Sequence, residues 1–105
     1  MRKGIIILLF LAGCSAPPEK PAPKTYTVEM NSMEFHPSEL TVQKGDTVIF
    51  VNKDMVVHDI TEDATKAWSS GNLPVDSSYK LVVTASARYY CQLHPVMRGT
   101  IVVAK

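Results

Sequence analysis

Apolar and polar residues alternate along most of the chain after Lys24, which is the pattern of β-strands with one buried face. Tyr26, Val28 and Met30 alternate with Thr27 and Glu29, a period of two. The pattern predicts strands over residues 26–30, 40–42, 47–51, 55–61, 79–83, 87–91 and 100–104. Turn signals such as Gly45-Asp46 separate these runs, and residues 62–68 could form a short helical turn. Seven to eight short strands without a long helix predict an all-β sandwich or barrel.

The first residues have the features of an export signal. Arg2 and Lys3 precede the apolar run of residues 4–12, which is shorter than the about 20 residues that a membrane-spanning helix needs. Leu11-Ala12-Gly13-Cys14 resembles the lipobox of bacterial lipoproteins, in which the signal is removed before the cysteine and the cysteine carries lipid. We therefore expect a signal peptide at 1–13 and a membrane anchor at Cys14. The alternatives are a plain secretory signal or a short buried strand.

A proline-rich segment separates this signal from the strand pattern. Residues 15–24 contain four prolines and no apolar periodicity, which is typical of an extended polyproline II linker. The domain boundaries predicted are therefore 14–24 for the lipid anchor and linker and 25–105 for one folded domain. Ser15 after the cysteine resembles the outer-membrane type of lipoprotein.

Composition and charge narrow the function classes. The 105 residues are 46% hydrophobic and 20% charged, as in an ordinary globular protein. Residues 25–105 hold seven Lys and Arg against nine Asp and Glu, a net charge of −2, so no basic stripe favours nucleic-acid binding. If Cys14 carries lipid, Cys91 is the only thiol of the mature domain. A lone thiol in an oxidising compartment is explained by metal ligation, or by deep burial.

Three metal-ligating residue types follow one another near the end of the chain. Cys91, His94 and Met97 are three residues apart, and His58 lies 33 residues before the cysteine. Two histidines, a cysteine and a methionine are the ligands of a type 1 copper site. Zinc also suits Cys and His, but it does not select a thioether. Each residue alone could equally be a buried structural side chain.

The segment Cys91-Gln-Leu-His-Pro-Val-Met-Arg-Gly99 resembles the cupredoxin family, and most closely its amicyanin group, which has the short loop C-x-x-H-P-x-M-R-G. Phe35-His-Pro37, Gly45-Asp46-Thr47-Val48 and Asn52-x-Asp54 follow the family's order. The resemblance implies a Greek-key β-sandwich or barrel that holds one copper ion. It also implies a non-enzymatic carrier of single electrons, with His58, Cys91, His94 and Met97 as ligands.

Three residues beside the expected ligands depart from the family's pattern. Asp59 stands where the family has Asn, and Gln92 where it has Ser or Thr, so we expect the Gln92 amide to donate to the Asp59 carboxylate. Leu93 replaces a proline that has no N–H, and its amide could donate to the sulfur of Cys91. The charge of Asp59 would lower the reduction potential and the Leu93 amide would raise it.

The resemblance also implies two electron-transfer surfaces. His94 is expected to expose its ring edge beside Pro95, in an apolar patch that fits a transient redox protein. Tyr90 should face solvent while Tyr89 faces the core, and plastocyanins carry a tyrosine at the position of Tyr90 near a partner surface. The alternative for Tyr90 is a plain exposed aromatic residue. We expect a monomer.

The function predicted is electron transfer outside the cytoplasm by a lipid-anchored copper protein. A second possibility is a lipoprotein that stores or delivers copper. A third is a metal-free, immunoglobulin-like adhesion module.

Overall fold

The computed structural model describes residues 21–105, which contain eight β-strands. The predicted signal at 1–13, the anchor at Cys14 and linker residues 15–20 lie outside the described part. No helix in residues 21–105 is long and apolar enough to cross a membrane. The strands are β1 Thr25–Asn31, β2 Glu34–His36, β3 Glu39–Val42, β4 Thr47–Asn52, β5 Thr61–Glu62, β6 Ser78–Val82, β7 Ala87–Tyr90 and β8 Arg98–Val103.

The strands form two four-stranded sheets. One has the order β2-β1-β4-β6 and the other β3-β8-β7-β5. β1 pairs with β4 in parallel and β3 with β8 in parallel, while the other pairs are antiparallel. Consecutive strands thus cross repeatedly between the sheets. The prediction of an all-β sandwich of seven to eight strands is confirmed.

The core between the sheets follows from the alternation along the strands. Val28 and Met30 on β1 and Val48 and Phe50 on β4 are completely buried, because every second residue points inward. Tyr89 lies at the centre of an aromatic group, with its ring centroid 4.8 Å from Phe35 and 5.1 Å from Phe50, both edge to face. Edge-to-face contacts of this kind add to the stabilisation that burial gives. The strand that ends next to Cys91 is therefore held by rigid packing.

Gly99 on β8 is required by this packing. It pairs with Tyr89 across the β7–β8 ladder, and a Cβ at position 99 would lie 2.6 Å from Cε1 of the tyrosine ring. Real Cβ atoms essentially never approach so closely. The absence of a Cβ at Gly99 leaves room for the Tyr89 ring beside β8.

The strand predicted over residues 55–61 is mostly absent. Only Thr61 and Glu62 form a strand, and residues 55–60 are a loop. Within it His58 and Leu73 form an isolated bridge, exchanging N–H to carbonyl hydrogen bonds of 3.2 and 2.7 Å. The prediction was wrong because Val56 and Val57, which gave the apolar pattern, are 42% and 39% exposed instead of lining the core.

The helical turn considered for residues 62–68 is also absent. The Glu62 carboxylate accepts hydrogen bonds from the backbone N–H groups of Ala64, Thr65 and Ala67 at 2.8, 2.9 and 3.0 Å. These amides therefore bind a side chain that curls the backbone into a loop. These hydrogen bonds, of which the one from Ala67 contributes most, lower the pKa of Glu62 to about 2.

Candidate metal centre

His58 reaches the centre from the loop that follows β4. Its side chain is completely buried, and its Nδ1 lies 3.7 Å from Sγ of Cys91. The other ring nitrogen, Nε2, lies 2.9 Å from Oδ2 of Asp54. The two-way bridge with Leu73 fixes the backbone of this histidine. Folding thus brings together an imidazole and a thiol that are 33 residues apart in the sequence.

Cys91 comes directly after β7 and is also completely buried. It is a free thiol, and the backbone N–H of Asp59 donates a hydrogen bond to its sulfur at 3.3 Å. A donor aimed at sulfur stabilises a thiolate more than a thiol. The thiolate is also the form of cysteine that ligates metals.

A tight loop between β7 and β8 carries the other two predicted ligands. His94 N–H donates to the Cys91 carbonyl at 3.2 Å, Met97 N–H donates to the His94 carbonyl at 2.9 Å, and Cys91 N–H donates to the Met97 carbonyl at 3.1 Å. Met97 is 1% exposed and belongs to the same buried cluster as Cys91. His94 is a partly exposed residue, and the centroid of its ring lies 5.1 Å from that of His58, with an angle of 78° between the ring planes.

His58 therefore lies close to both Cys91 and His94, and Met97 is buried on the loop that carries Cys91 and His94. No three His, Cys, Asp or Glu side chains within residues 21–105 stand in a finished metal-binding arrangement. The closest contact is the pair of His58 Nδ1 and Cys91 Sγ, with His94 and Met97 returned to it by the loop. The donor set of thiolate, imidazole and thioether fits a copper ion, because soft sulfur ligands select copper and imidazole suits it well.

The link between the two ligand-bearing loops differs from the predicted one. The carboxylate of Asp59 accepts from the backbone N–H of Gln92 at 2.8 Å. The Gln92 side-chain amide donates instead to Thr61 Oγ1 at 3.0 Å, and that hydroxyl donates to Asp59 Oδ1 at 3.3 Å. The predicted hydrogen bond from the Gln92 side-chain amide to Asp59 was therefore wrong, because the Gln92 backbone N–H bonds to Asp59 and the side-chain amide bonds to Thr61 instead. Thr61 was not singled out from the sequence.

Leu93 does not make the predicted contact with sulfur. Among residues 21–105, the backbone N–H that bonds to Cys91 Sγ is that of Asp59, and Leu93 N–H has no hydrogen-bond partner. The Leu93 side chain is 47% exposed.

Both predicted electron-transfer surfaces have solvent-accessible residues. Met55 and Val96 are 91% and 87% exposed, and Pro95 beside His94 is exposed as well. On β7 the predicted directions are confirmed, since Tyr89 is buried and Tyr90 is partly exposed. The Tyr90 ring has Lys66 Nζ 5.8 Å and Arg98 Cζ 5.2 Å from its centroid.

Asp54 is a residue of the site that the sequence analysis did not identify as one. Its carboxylate touches the ring of His58, and that bond is the main reason why its pKa lies below the usual range. The only sequence signals are the order Asn52-x-Asp54 and a separation of four residues from His58. Outside a helix, such a separation does not imply contact.

Comparisons with known proteins identify the family of this chain. A family model described as a cupredoxin-like domain matches residues 4–103. Amicyanin of Paracoccus denitrificans is 30% identical over 82 residues, which cover 72% of this chain and 63% of that protein. Amicyanin of Paracoccus versutus is 28% identical over 85 residues, covering 72% and 62%. The chain thus spans less than two thirds of the length of these relatives.

Solved structures of amicyanin share the fold. A reduced form of one amicyanin mutant superposes with a TM-score of 0.71 at 29% identity, covering 76% of this chain and 82% of that chain. The Cu(I) form of another mutant has a TM-score of 0.71 at 28% identity, covering 81% and 87%.

Proposed function

We propose, from the premise that this chain belongs to the cupredoxin-like family, that it is a type 1 copper protein that carries single electrons. The observation that carries the proposal is the buried contact between His58 Nδ1 and Cys91 Sγ at 3.7 Å. A buried imidazole nitrogen and a buried sulfur at this separation are suited to sharing one metal ion. Copper would supply the chemistry by changing between Cu(I) and Cu(II).

Each proposed ligand has a distinct part in such a centre. His58, Cys91 and His94 would form the trigonal plane, and Met97 would be the weak axial ligand. The Asp59 N–H, which donates to Cys91 Sγ, would stabilise the charge of a copper-bound thiolate. Burial of His58, Cys91 and Met97 excludes water, and the packed sheets hold the donors in one geometry. A rigid donor set keeps the rearrangement on electron transfer small.

The proposed route for the electron is the ring of His94, a partly exposed residue. The exposed residues Met55, Leu93, Pro95 and Val96 lie on the same loops as the proposed ligands, and we propose that they form an apolar surface around this ring. Such a surface fits brief contact with a redox protein, since weak redox encounters bury little area. Tyr90, beside Cys91, is the second proposed contact. Four protein ligands would leave no position for a substrate, so we propose a carrier and not an enzyme.

The same proposal extends to the cellular setting. A signal at 1–13 would export the protein, lipid on Cys14 would hold it at a membrane, and residues 15–24 would separate the monomeric domain 25–105 from that membrane. Its partners would then be redox proteins outside the cytoplasm, in the periplasm or at the cell surface, with the outer membrane as one site of anchoring.

The proposal is tested by adding Cu(II) to the metal-free protein. An intense blue thiolate-to-copper absorption band that is reversibly bleached by reduction is expected, and Cys91→Ser should abolish it. Serine keeps nearly the same size, so the variant removes the sulfur without opening the core. A colourless wild-type protein would overturn the proposal. Rapid loss of copper to a metal-free acceptor, with slow electron self-exchange, would instead show a copper-delivery protein.

A further inference from the structure

We infer that Asp54 is a positioning residue for the proposed ligand His58: its carboxylate keeps the ring hydrogen on Nε2 and leaves the lone pair of Nδ1 directed at Cys91 Sγ. The inference rests on the proposed function and adds to it the residue that orients one ligand and tunes the centre. It starts from the 2.9 Å contact between Asp54 Oδ2 and His58 Nε2.

The protonation of the ring follows from the chemistry of its two neighbours. A carboxylate only accepts hydrogen bonds, so the ring nitrogen that it touches must carry the hydrogen. In neutral imidazole the other nitrogen then has the free lone pair. That nitrogen is Nδ1, which faces Sγ of Cys91 at 3.7 Å. The His58 side chain is fully buried and that of Asp54 is 15% exposed, so water competes little for this bond.

The carboxylate is itself held in place from several directions. Asp54 Oδ2 also accepts from Met33 N–H at 2.9 Å, and Oδ1 accepts from Met55 N–H at 3.0 Å. The backbone N–H of Asp54 donates to Asn52 Oδ1 at 2.9 Å. Because the aspartate is fixed, its direction can determine the direction of the imidazole ring.

The support continues into the core through Asn52, which is completely buried. Its Nδ2 donates to the carbonyls of Val56 and Leu73, both at 2.9 Å. Leu73 is also the residue that exchanges backbone hydrogen bonds with His58. The end of β4 therefore fixes the backbone of His58 through Leu73 and the ring of His58 through Asp54.

Two consequences follow for a metal at Nδ1. A hydrogen-bonded carboxylate makes the imidazole a stronger donor, and loss of such a partner typically weakens metal affinity by about 10- to 100-fold. A nearby negative charge also stabilises Cu(II) more than Cu(I), because Cu(II) carries the larger charge. Both effects favour the oxidised state.

The test compares Asp54→Asn with the matched control Asp59→Asn. Both substitutions remove one carboxylate charge near the centre, but only the Asp54 carboxylate contacts a proposed ligand side chain, since Asp59 reaches Cys91 through its backbone N–H. The control substitution keeps an amide oxygen at the place where Asp59 accepts from Gln92 N–H and Thr61 Oγ1. Asp54→Glu tests whether a carboxylate on a longer side chain restores the effect.

We expect Asp54→Asn to weaken Cu(II) binding relative to Cu(I) by about tenfold, which raises the one-electron potential by about 59 mV. Asp59→Asn should give less than a third of that shift, and Asp54→Glu should recover part of it. All potentials are measured at one pH. Equal shifts in the two asparagine variants, with the blue band intact, would show that charge alone acts and would overturn the inference.

A measurement without copper tests the tautomer directly. ¹⁵N NMR of the metal-free protein should show His58 with hydrogen on Nε2, and hydrogen on Nδ1 would overturn the inference. This result is separable from the proposed function. A wild-type protein that fails to turn blue would remove the copper proposal, while the NMR spectrum would still decide whether Asp54 orients the ring.

Discussion

The hydroxyl of Tyr89 gives a prediction about stability that is independent of the metal. Within residues 21–105 it is the one buried side-chain nitrogen or oxygen atom without a hydrogen-bond partner. The residue is completely buried, and this burial raises the pKa of its phenol. The ring fits well between Phe35 and Phe50, so only the oxygen is unfavourably placed. We expect Tyr89→Phe to stabilise the protein.

The magnitude is the difference between two terms. A buried hydroxyl left without a partner costs about 1–3 kcal/mol. Its removal leaves a void the size of one oxygen atom beside Gly99, and voids cost only about 24 cal/mol per Å³, so this term stays well below about 1 kcal/mol. The net gain is therefore about 1–2 kcal/mol. For a domain of this size, each kcal/mol raises the melting temperature by about 4–8 °C.

The assay is urea unfolding of the metal-free protein, followed by fluorescence of Trp68. This residue is the single tryptophan, and its ring lies 6.3 Å from that of Tyr89. The control is Tyr79→Phe, because Tyr79 is only partly buried and should change stability by less than about 0.5 kcal/mol. If Tyr89→Phe lowered the free energy of unfolding by about 1 kcal/mol or more, the hydroxyl would have a hydrogen-bond partner, and the reasoning would be refuted.

Three further predictions concern other positions. Gly99→Ala should destabilise the protein by about 3 kcal/mol in urea unfolding, because the added Cβ meets the fixed ring of Tyr89; a loss below about 0.5 kcal/mol would contradict this packing. Leu93→Pro should leave the reduction potential of the copper-loaded protein nearly unchanged, since the Leu93 amide does not bond to sulfur; a clear fall in potential would reveal such a bond. Glu62→Gln should destabilise the protein at neutral pH, because folding lowers the pKa of Glu62 to about 2. The stabilisation that the Glu62 carboxylate gives is present above its ordinary pKa of 4.5 and is lost as pH falls towards 2. The free energies of unfolding of the two proteins, measured from pH 7 to pH 2, should therefore converge at low pH, and a difference that stays constant would contradict the assignment.

The sequence was sufficient for strands that bury one face. Val28 and Met30, or Val48 and Phe50, alternate with polar or half-exposed residues, and each pair lies in a strand of the structure. The sequence was insufficient where apolar residues are exposed on a loop. Val56 and Val57 look like strand residues, yet they form a loop beside the site, because pattern alone does not reveal which surface is solvent-exposed.

The candidate site shows the same division. The residue types of Cys91, His94 and Met97 indicate the donor atoms of the site. Their short spacing indicates that the three residues lie on one tight loop. Which group bonds to Asp59 or His58 depends on backbone paths that the sequence does not specify. Gln92 could offer either its side chain or its backbone N–H, and the structure uses the backbone. Asp54 meets His58 only because the chain turns after β4.

The most direct test of the proposed centre is a crystal structure of the copper-loaded protein with anomalous scattering recorded at the copper absorption edge. One copper ion is expected, bonded to Nδ1 of His58, Sγ of Cys91 and the ring of His94, with a longer contact to the sulfur of Met97. An anomalous peak elsewhere in the protein, or a metal that leaves His58 or Cys91 unbound, would contradict the proposal.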